Sequence, residues 1–189
     1  MPRQHDRELY NRRSLRRPDH DYAGNGIYFT TITVLERACL YGARTENGVA
    51  LNDAGRMIAT EWRALDERFV NVTTDIFVIM PDHIHGILTI RDSGQRQALR
   101  PTVSQLGAIG GCDSDCKPIS LGRIMQAFKS ITTRKYIDGV RRLGWTPFNG
   151  KVWQRNYYER IVRSREELDS IRSYIASNPS QPYDDDHIF

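Results

Sequence analysis

The stretch IFVIMPDHIHGILTI, residues 76–90, constrains the fold more than any other part of the chain. Ile76, Phe77, Val78, Ile79 and Met80 are strand formers, as are Ile84, Ile87, Leu88 and Ile90. Pro81-Asp82 marks the join, so the stretch predicts a β-hairpin with strands over roughly 72–80 and 83–91. Two of the chain's five histidines, His83 and His85, lie inside it. Residues i and i+2 of a strand project from one face, so both imidazoles point one way and Ile84 points the other, into a packed face. Two imidazoles side by side make half of a metal site. The plainer alternative is two separately hydrogen-bonded histidines. The metal reading is preferred, because two neutral rings stacked in an apolar strand would waste burial.

The flanking sequence supplies the rest of a sheet. GIYFTTITVL, 26–35, is β-branched and aromatic and predicts a strand. Residues 36–51 read as an irregular connection with a turn signal at Asn47-Gly48. Asn52 is placed to cap a helix over 53–69, where Met57, Ile58, Trp62, Leu65 and Phe69 recur at helical spacing. A second helix is expected over 120–144, capped by Ser120, with Leu121, Ile124, Met125, Phe128 and Ile131 along one face. VWQRNYYERIV, 152–162, predicts a strand. A last helix over 164–179 opens on a capping box, Ser164 with Glu167, and ends at Asn178-Pro179. The order β-α-β-β-α-β-α implies an α+β, ferredoxin-like βαββαβ antiparallel sheet with two helices on one face and an added C-terminal helix.

The length of 189 residues suits one domain, expected over 26–182. Residues 1–25 read as a basic N-terminal arm, 92–119 as a long loop and 183–189 as an acidic tail. No run of roughly 18 apolar residues occurs, so no membrane span is expected. Three cysteines make no disulfide framework, and a cytoplasmic location, bacterial cytosol or nucleoid, is expected. Cys112 and Cys116 read as two thiols of a surface loop rather than a zinc site, since no second ligand pair accompanies them. Charge is uneven: residues 120–163 hold ten Lys/Arg against two acids, a footprint suited to phosphates or to a solvated helix face.

Two histidines need a third ligand, and the last helix offers one. Leu168, Ile171 and Ile175 form its apolar stripe, and Tyr174 and Asn178 flank that stripe on neighbouring turns. The Asn178 amide oxygen can ligate a cation, with the Tyr174 hydroxyl beside it. This combination suggests a tyrosine attacking a DNA phosphodiester while a metal polarises the phosphoryl oxygen. A site of two imidazoles and one carboxamide with open positions suits Mg²⁺ or Mn²⁺. Tyr157 and Tyr158 compete for the nucleophile's role. They are adjacent, so one faces in and one out, and sheet packing or base stacking suits them better.

At these residues the sequence resembles a known family. VIMPDHIHGIL looks like the His-hydrophobe-His motif of the single-tyrosine HUH transposases. LGRIMQAFKSITTRKYI, VWQRNYYERIVRSREELDSIRSYIASNP and the Arg-rich approach to the first strand look like the REP-associated tyrosine transposases, relatives of small insertion-sequence transposases. The likeness spans about residues 12–182. It implies His83, His85 and Asn178 as metal ligands and Tyr174 as nucleophile. It also implies cleavage and rejoining of single-stranded hairpin DNA through a 5′-phosphotyrosine intermediate, and in some members a homodimer. Asp82 stands where the family more often has Asn, and the 92–119 loop is longer than expected.

Arg12, Arg13, Arg16 and Arg17 suit an arm that contacts DNA. Lys129, Arg134 and Lys135 suit a phosphate track on the second helix, and Trp153, Gln154 and Arg155 are further candidates for DNA contact. Two other readings stand beside the transposase: a non-catalytic hairpin-DNA-binding protein derived from one, and a metal-dependent DNA phosphodiesterase with water as nucleophile.

Overall fold

A computed structural model describes residues 22, 24–46, 48–91 and 119–180. Nearly all of the expected arm, with Arg12, Arg13, Arg16 and Arg17, lies outside these residues, as do the Cys112/Cys116 loop and the acidic tail. The strands are β1 (Gly26–Thr33), β2 (Gly42–Thr45), β3 (Gly48–Leu51), β4 (Val72–Ile79), β5 (His83–Ile90) and β6 (Tyr158–Val162). The helices are α1 (Asp53–Arg63), α2 (Leu65–Arg68), α3 (Leu121–Leu143) and α4 (Arg165–Ser177). No helix among the described residues is long and apolar enough to cross a membrane.

β4, β5, β1 and β6 form, in that order, one antiparallel sheet. With the short β2–β3 pair set aside, this is the ferredoxin-like βαββαβ order that the sequence implies, and α4 is the added helix.

Strand alternation separates two cores. Tyr28 and Ile32 of β1 and Ile84, Leu88 and Ile90 of β5 pack with Trp62 of α1 and Met125 and Phe128 of α3. Phe29, Ile87 and Val162 pack on the other face against Ile171 and Ile175 of α4. Gly86 lies between Ile84 and Leu88 on the α1 side. A Cβ there would come within 2.3 Å of the Trp62 ring, so only glycine lets the indole rest on the strand.

Several boundaries differ from the sequence reading. Residues 42–51, expected to be irregular, form the β2–β3 ladder, in which Thr45 pairs with Gly48. Gly48 of the expected turn thus opens β3, and Asn47 lies outside the described residues. The helix expected over 53–69 is broken at Ala64, and Asp66 of its second piece accepts a bond from the Thr74 amide of β4 at 2.6 Å. Asn52 caps α1 as expected, through the Gly55 amide.

α3 starts after Ser120, whose side chain makes no capping bond; its carbonyl accepts from Arg123 and Ile124 instead. The buried stripe continues through Thr132 and Tyr136, leaving Ile131 half-buried at its margin. Gly144 ends the helix in the left-handed conformation at φ 70°.

The strand expected from 152 begins only at Tyr158. Before it, Val152 and Trp153 are buried, and the Gln154 and Asn156 carbonyls turn to the Lys129 ammonium, at 2.9 and 2.8 Å. Half the expected capping box opens α4: Ser164 Oγ accepts from the Glu167 amide, while the Glu167 carboxylate reaches the Arg163 amide rather than that of Ser164.

Two ionic ties join elements. Arg172 of α4 donates twice to Asp75 Oδ2, at 2.6 and 3.0 Å, where β4 is irregular between Thr74 and Phe77. Glu61 of α1, buried, accepts from Lys135 of α3 and from Arg68. Burial pushes the Glu61 carboxyl up, but the bonds and charges of Lys135 and Arg68 outweigh it and hold the group below its ordinary range.

Four outcomes are expected. Gly86→Ala should lower stability by about 1–3 kcal/mol in urea unfolding, because the methyl overpacks against Trp62. Ile175→Ala should cost about 2–5 kcal/mol as a core truncation. Arg172→Ala should cost only about 0–1 kcal/mol, since its ion pair is partly solvated. A depressed carboxyl stabilises the fold above its unfolded pKa, and that stability is lost as pH falls through the folded value. Glu61→Gln should therefore lower stability near neutrality and flatten the acid limb of a stability-versus-pH curve.

Candidate functional site

The site forms where the second core meets the Pro81-Asp82 end of the hairpin. β5 presents His83 and His85 on the α4 face, with only 1% and 2% of their surfaces exposed. Their Nε2 atoms face each other at 3.0 Å. Each ring is held from behind through its other nitrogen. His83 Nδ1 lies 2.6 Å from Asp82 Oδ1, and His85 Nδ1 lies 2.8 Å from the Thr31 hydroxyl. A carboxylate only accepts, so in the neutral ring the Asp82 contact favours the proton on Nδ1 and leaves the lone pair on Nε2. The Thr31 hydroxyl can donate or accept and serves either tautomer of His85.

α4 closes the site from above the sheet. Ile171 and Ile175 seat the helix, which brings the Tyr174 hydroxyl to 3.2 Å from His85 Nε2. Asn178, one turn on, donates from Nδ2 to the Tyr174 oxygen at 2.8 Å. With the donating half of the amide engaged in this way, its Oδ1 is buried without a hydrogen-bond partner among the described residues. Phe29 of β1 stacks on His85 at 5.6 Å and meets the Tyr174 ring edge-on at 6.3 Å. Tyr174 is thus steered by an aromatic wall as well as by its hydroxyl contacts.

The four side chains singled out from the sequence, His83, His85, Tyr174 and Asn178, therefore lie together, although the last two are about 90 residues further along the chain. Their donor set fits a small divalent cation in two respects. Two imidazole nitrogens lie 3.0 Å apart, and a buried amide oxygen has no hydrogen-bond partner among the described residues. Among the described residues no group of three or more His, Cys, Asp or Glu is placed to hold a metal, so a carboxamide would have to complete this set.

Tyr157 and Tyr158 face opposite sides of the sheet. Tyr157 packs with the first core, its ring 5.6 Å from the Lys129 ammonium. Tyr158 packs edge-on to Phe29 in the second core, and burial pushes its phenol up.

The basic candidates divide. Arg134 and Arg155 are exposed. Lys135 is engaged by Glu61. Lys129 holds two loop carbonyls, and burial lowers its pKa to about 8. Trp153 is a core residue that donates to Thr132 rather than a surface for bases. The sequence reading missed Thr31, Phe29 and Arg37, which reach the site region only through strand pairing or chain reversal. No local motif signals them.

No protein-family model matches the chain. Two proteins of Haemophilus influenzae are similar in sequence. One, described as an uncharacterized protein, is 31% identical over 185 residues, spanning 95% of this chain and 94% of its own length. Another, provisionally named a REP-associated tyrosine transposase, is 23% identical over 159 residues, or 84% of this chain and 73% of its own. Among solved structures, a REP-associated tyrosine transposase bound to a REP hairpin aligns over 88% of this chain and 72% of its own, at 17% identity and a TM-score of 0.46. A protein from Deinococcus radiodurans R1, provisionally called a transposase, aligns over 88% of this chain and all of its own, at 13% identity and the same TM-score. By sequence likeness along nearly its whole length, the chain belongs to one family with the first Haemophilus protein.

Proposed function

We propose that this protein is a DNA transposase that cleaves and rejoins single-stranded hairpin DNA, with Tyr174 as the nucleophile. The observation that carries the reading is the placement of the Tyr174 hydroxyl between His85 Nε2 and the Asn178 amide, beside a buried pair of facing imidazoles.

In the proposed step the Tyr174 oxygen attacks a backbone phosphorus. A bond forms between that oxygen and phosphorus, and the bond from phosphorus to the 3′ oxygen breaks. The phenolic proton is released, and a proton is taken up by the departing 3′ oxygen. The product is a 5′-phosphotyrosine and a free 3′-OH, and the reverse attack by a 3′-OH rejoins the strand.

The Asn178 N–H stays on the phenolic oxygen as charge develops there, and Phe29 restricts the ring. His83, His85 and the Asn178 Oδ1 would hold Mg²⁺ or Mn²⁺, which when bound polarises the phosphoryl oxygen. The exposed Arg134 and Arg155 are proposed as phosphate contacts, with the arm residues Arg12, Arg13, Arg16 and Arg17. Lys129 and Lys135 join them only by giving up the bonds described above.

The test uses a pool of short hairpin DNAs with Mg²⁺ or Mn²⁺, resolved on a denaturing gel. A slow-migrating protein–DNA species is expected with the unaltered protein, absent in Tyr174→Phe and on chelation, and retained in Tyr157→Phe and Tyr158→Phe. Cleavage without that species, surviving Tyr174→Phe, would instead make water the nucleophile. Tight hairpin binding without cleavage would reduce the protein to a binding module.

A further inference from the structure

The segment that leaves β1 reverses through a strained turn. Glu36 and Arg37 adopt φ of 57° and 52°, the only positive values among described non-glycine residues. Left-handed backbone at two successive residues with side chains is unfavourable and persists only where surrounding structure over-determines it.

The surroundings here are the hairpin end. The Val34 amide bonds to the Asp82 carbonyl at 2.8 Å, and the Tyr41 amide to the Pro81 carbonyl at 3.0 Å. The Leu35 amide bonds to the Val152 carbonyl at 2.8 Å. The first two bonds clamp the turn onto Pro81-Asp82 from both sides, and the third ties it to Val152. What the turn presents is the Arg37 guanidinium, which donates to Asp82 Oδ2 at 3.1 Å while Asp82 Oδ1 faces His83 Nδ1. The Asp82 side chain is 1% exposed and that of Arg37 is 42% exposed.

We propose that Arg37 is a positioning residue that acts through Asp82 on His83: the strained turn holds the guanidinium on one carboxylate oxygen, so that the other keeps the His83 proton on Nδ1 and turns Nε2 into the site. The inference rests on the reading of His83 as a cation ligand. It also accounts for an acid at position 82, where the likeness in sequence leads to an expectation of Asn. Arg37 sets a positive charge against this buried acid at the edge of the site. With it, the pair is neutral overall and still sets the tautomer. A carboxylate behind a ligating imidazole orients the ring and strengthens its other nitrogen as a donor.

The test uses the full chain without DNA, with Arg37→Gln to keep the stem and remove the charge, and Arg37→Lys to restore the charge. Long-range proton–nitrogen NMR of labelled histidine, at mildly alkaline pH, reads the His83 tautomer. Calorimetric titration with Mn²⁺ reads cation affinity, and thermal unfolding reports the fold. The unaltered protein should show one His83 tautomer, with the proton on Nδ1. Arg37→Gln should mix the tautomers and weaken Mn²⁺ binding by about 10–100-fold at nearly unchanged melting temperature, with Arg37→Lys recovering part of both. A single Nδ1 tautomer and unaltered Mn²⁺ affinity in Arg37→Gln would overturn the proposal. So would losses that track the melting temperature. Absence of Mn²⁺ binding in the unaltered protein would instead overturn the cation reading of the site, and the tautomer measurement would still decide whether Arg37 acts on the ring.

Discussion

The antiparallel pairing of β1 with β5 is the constraint on which the rest depends. It runs from Gly26↔Ile90 to Thr33↔His83. Because alternate side chains take opposite faces, this register sends Ile84, Gly86 and Leu88 to α1 and α3, and His83, His85 and Ile87 to α4. A slip of one residue would exchange the two sets. The imidazoles would then enter an apolar core, and Trp62 would lose the gap at Gly86. The same register sets Thr31 opposite His85, where its hydroxyl meets the ring. Fold stability and site geometry therefore share one cause.

The second face would be half a site without α4. The helix is held chiefly by Ile171 and Ile175 against Phe29, Ile87 and Val162, with the Arg172–Asp75 pair as a minor addition. Beside that apolar contact, the end of the helix delivers a phenol and an amide to the imidazoles. The polar groups satisfy one another in sequence, from the exposed Arg37 through the buried Asp82, His83 and His85 to Tyr174 and Asn178, and among the described residues the Asn178 Oδ1 remains over. Such a chain rigidifies a site, because moving any member leaves a buried polar atom without a bond.

Much of this was legible from periodicity. The His-Ile-His alternation told which rings share a face. The spacing of Leu168, Ile171, Tyr174, Ile175 and Asn178 placed the phenol and amide beside a packed stripe. The errors fell where tertiary contacts override local preference. Residues 152–157 are rich in strand formers, yet Trp153 is drawn into the core and the neighbouring carbonyls turn to Lys129. That contact also gives Lys129 a structural duty its charge alone does not reveal. The β2–β3 ladder was hidden because its strands are four residues each, too short for alternation to stand out.

By itself the sequence determined the element order, the face on which each histidine lies, and the pairing of Tyr174 with Asn178 on one helix. These follow from the periods of strand and helix, which are local properties of the chain. Only the tertiary structure decided that α4 covers the histidine face rather than standing beside it. It alone aligned Thr31 and Phe29 with His85 and brought a reversed turn at Glu36-Arg37 against Asp82. Those juxtapositions join residues far apart in the chain through strand register and core packing, and neither leaves a repeating mark in the order of the amino acids.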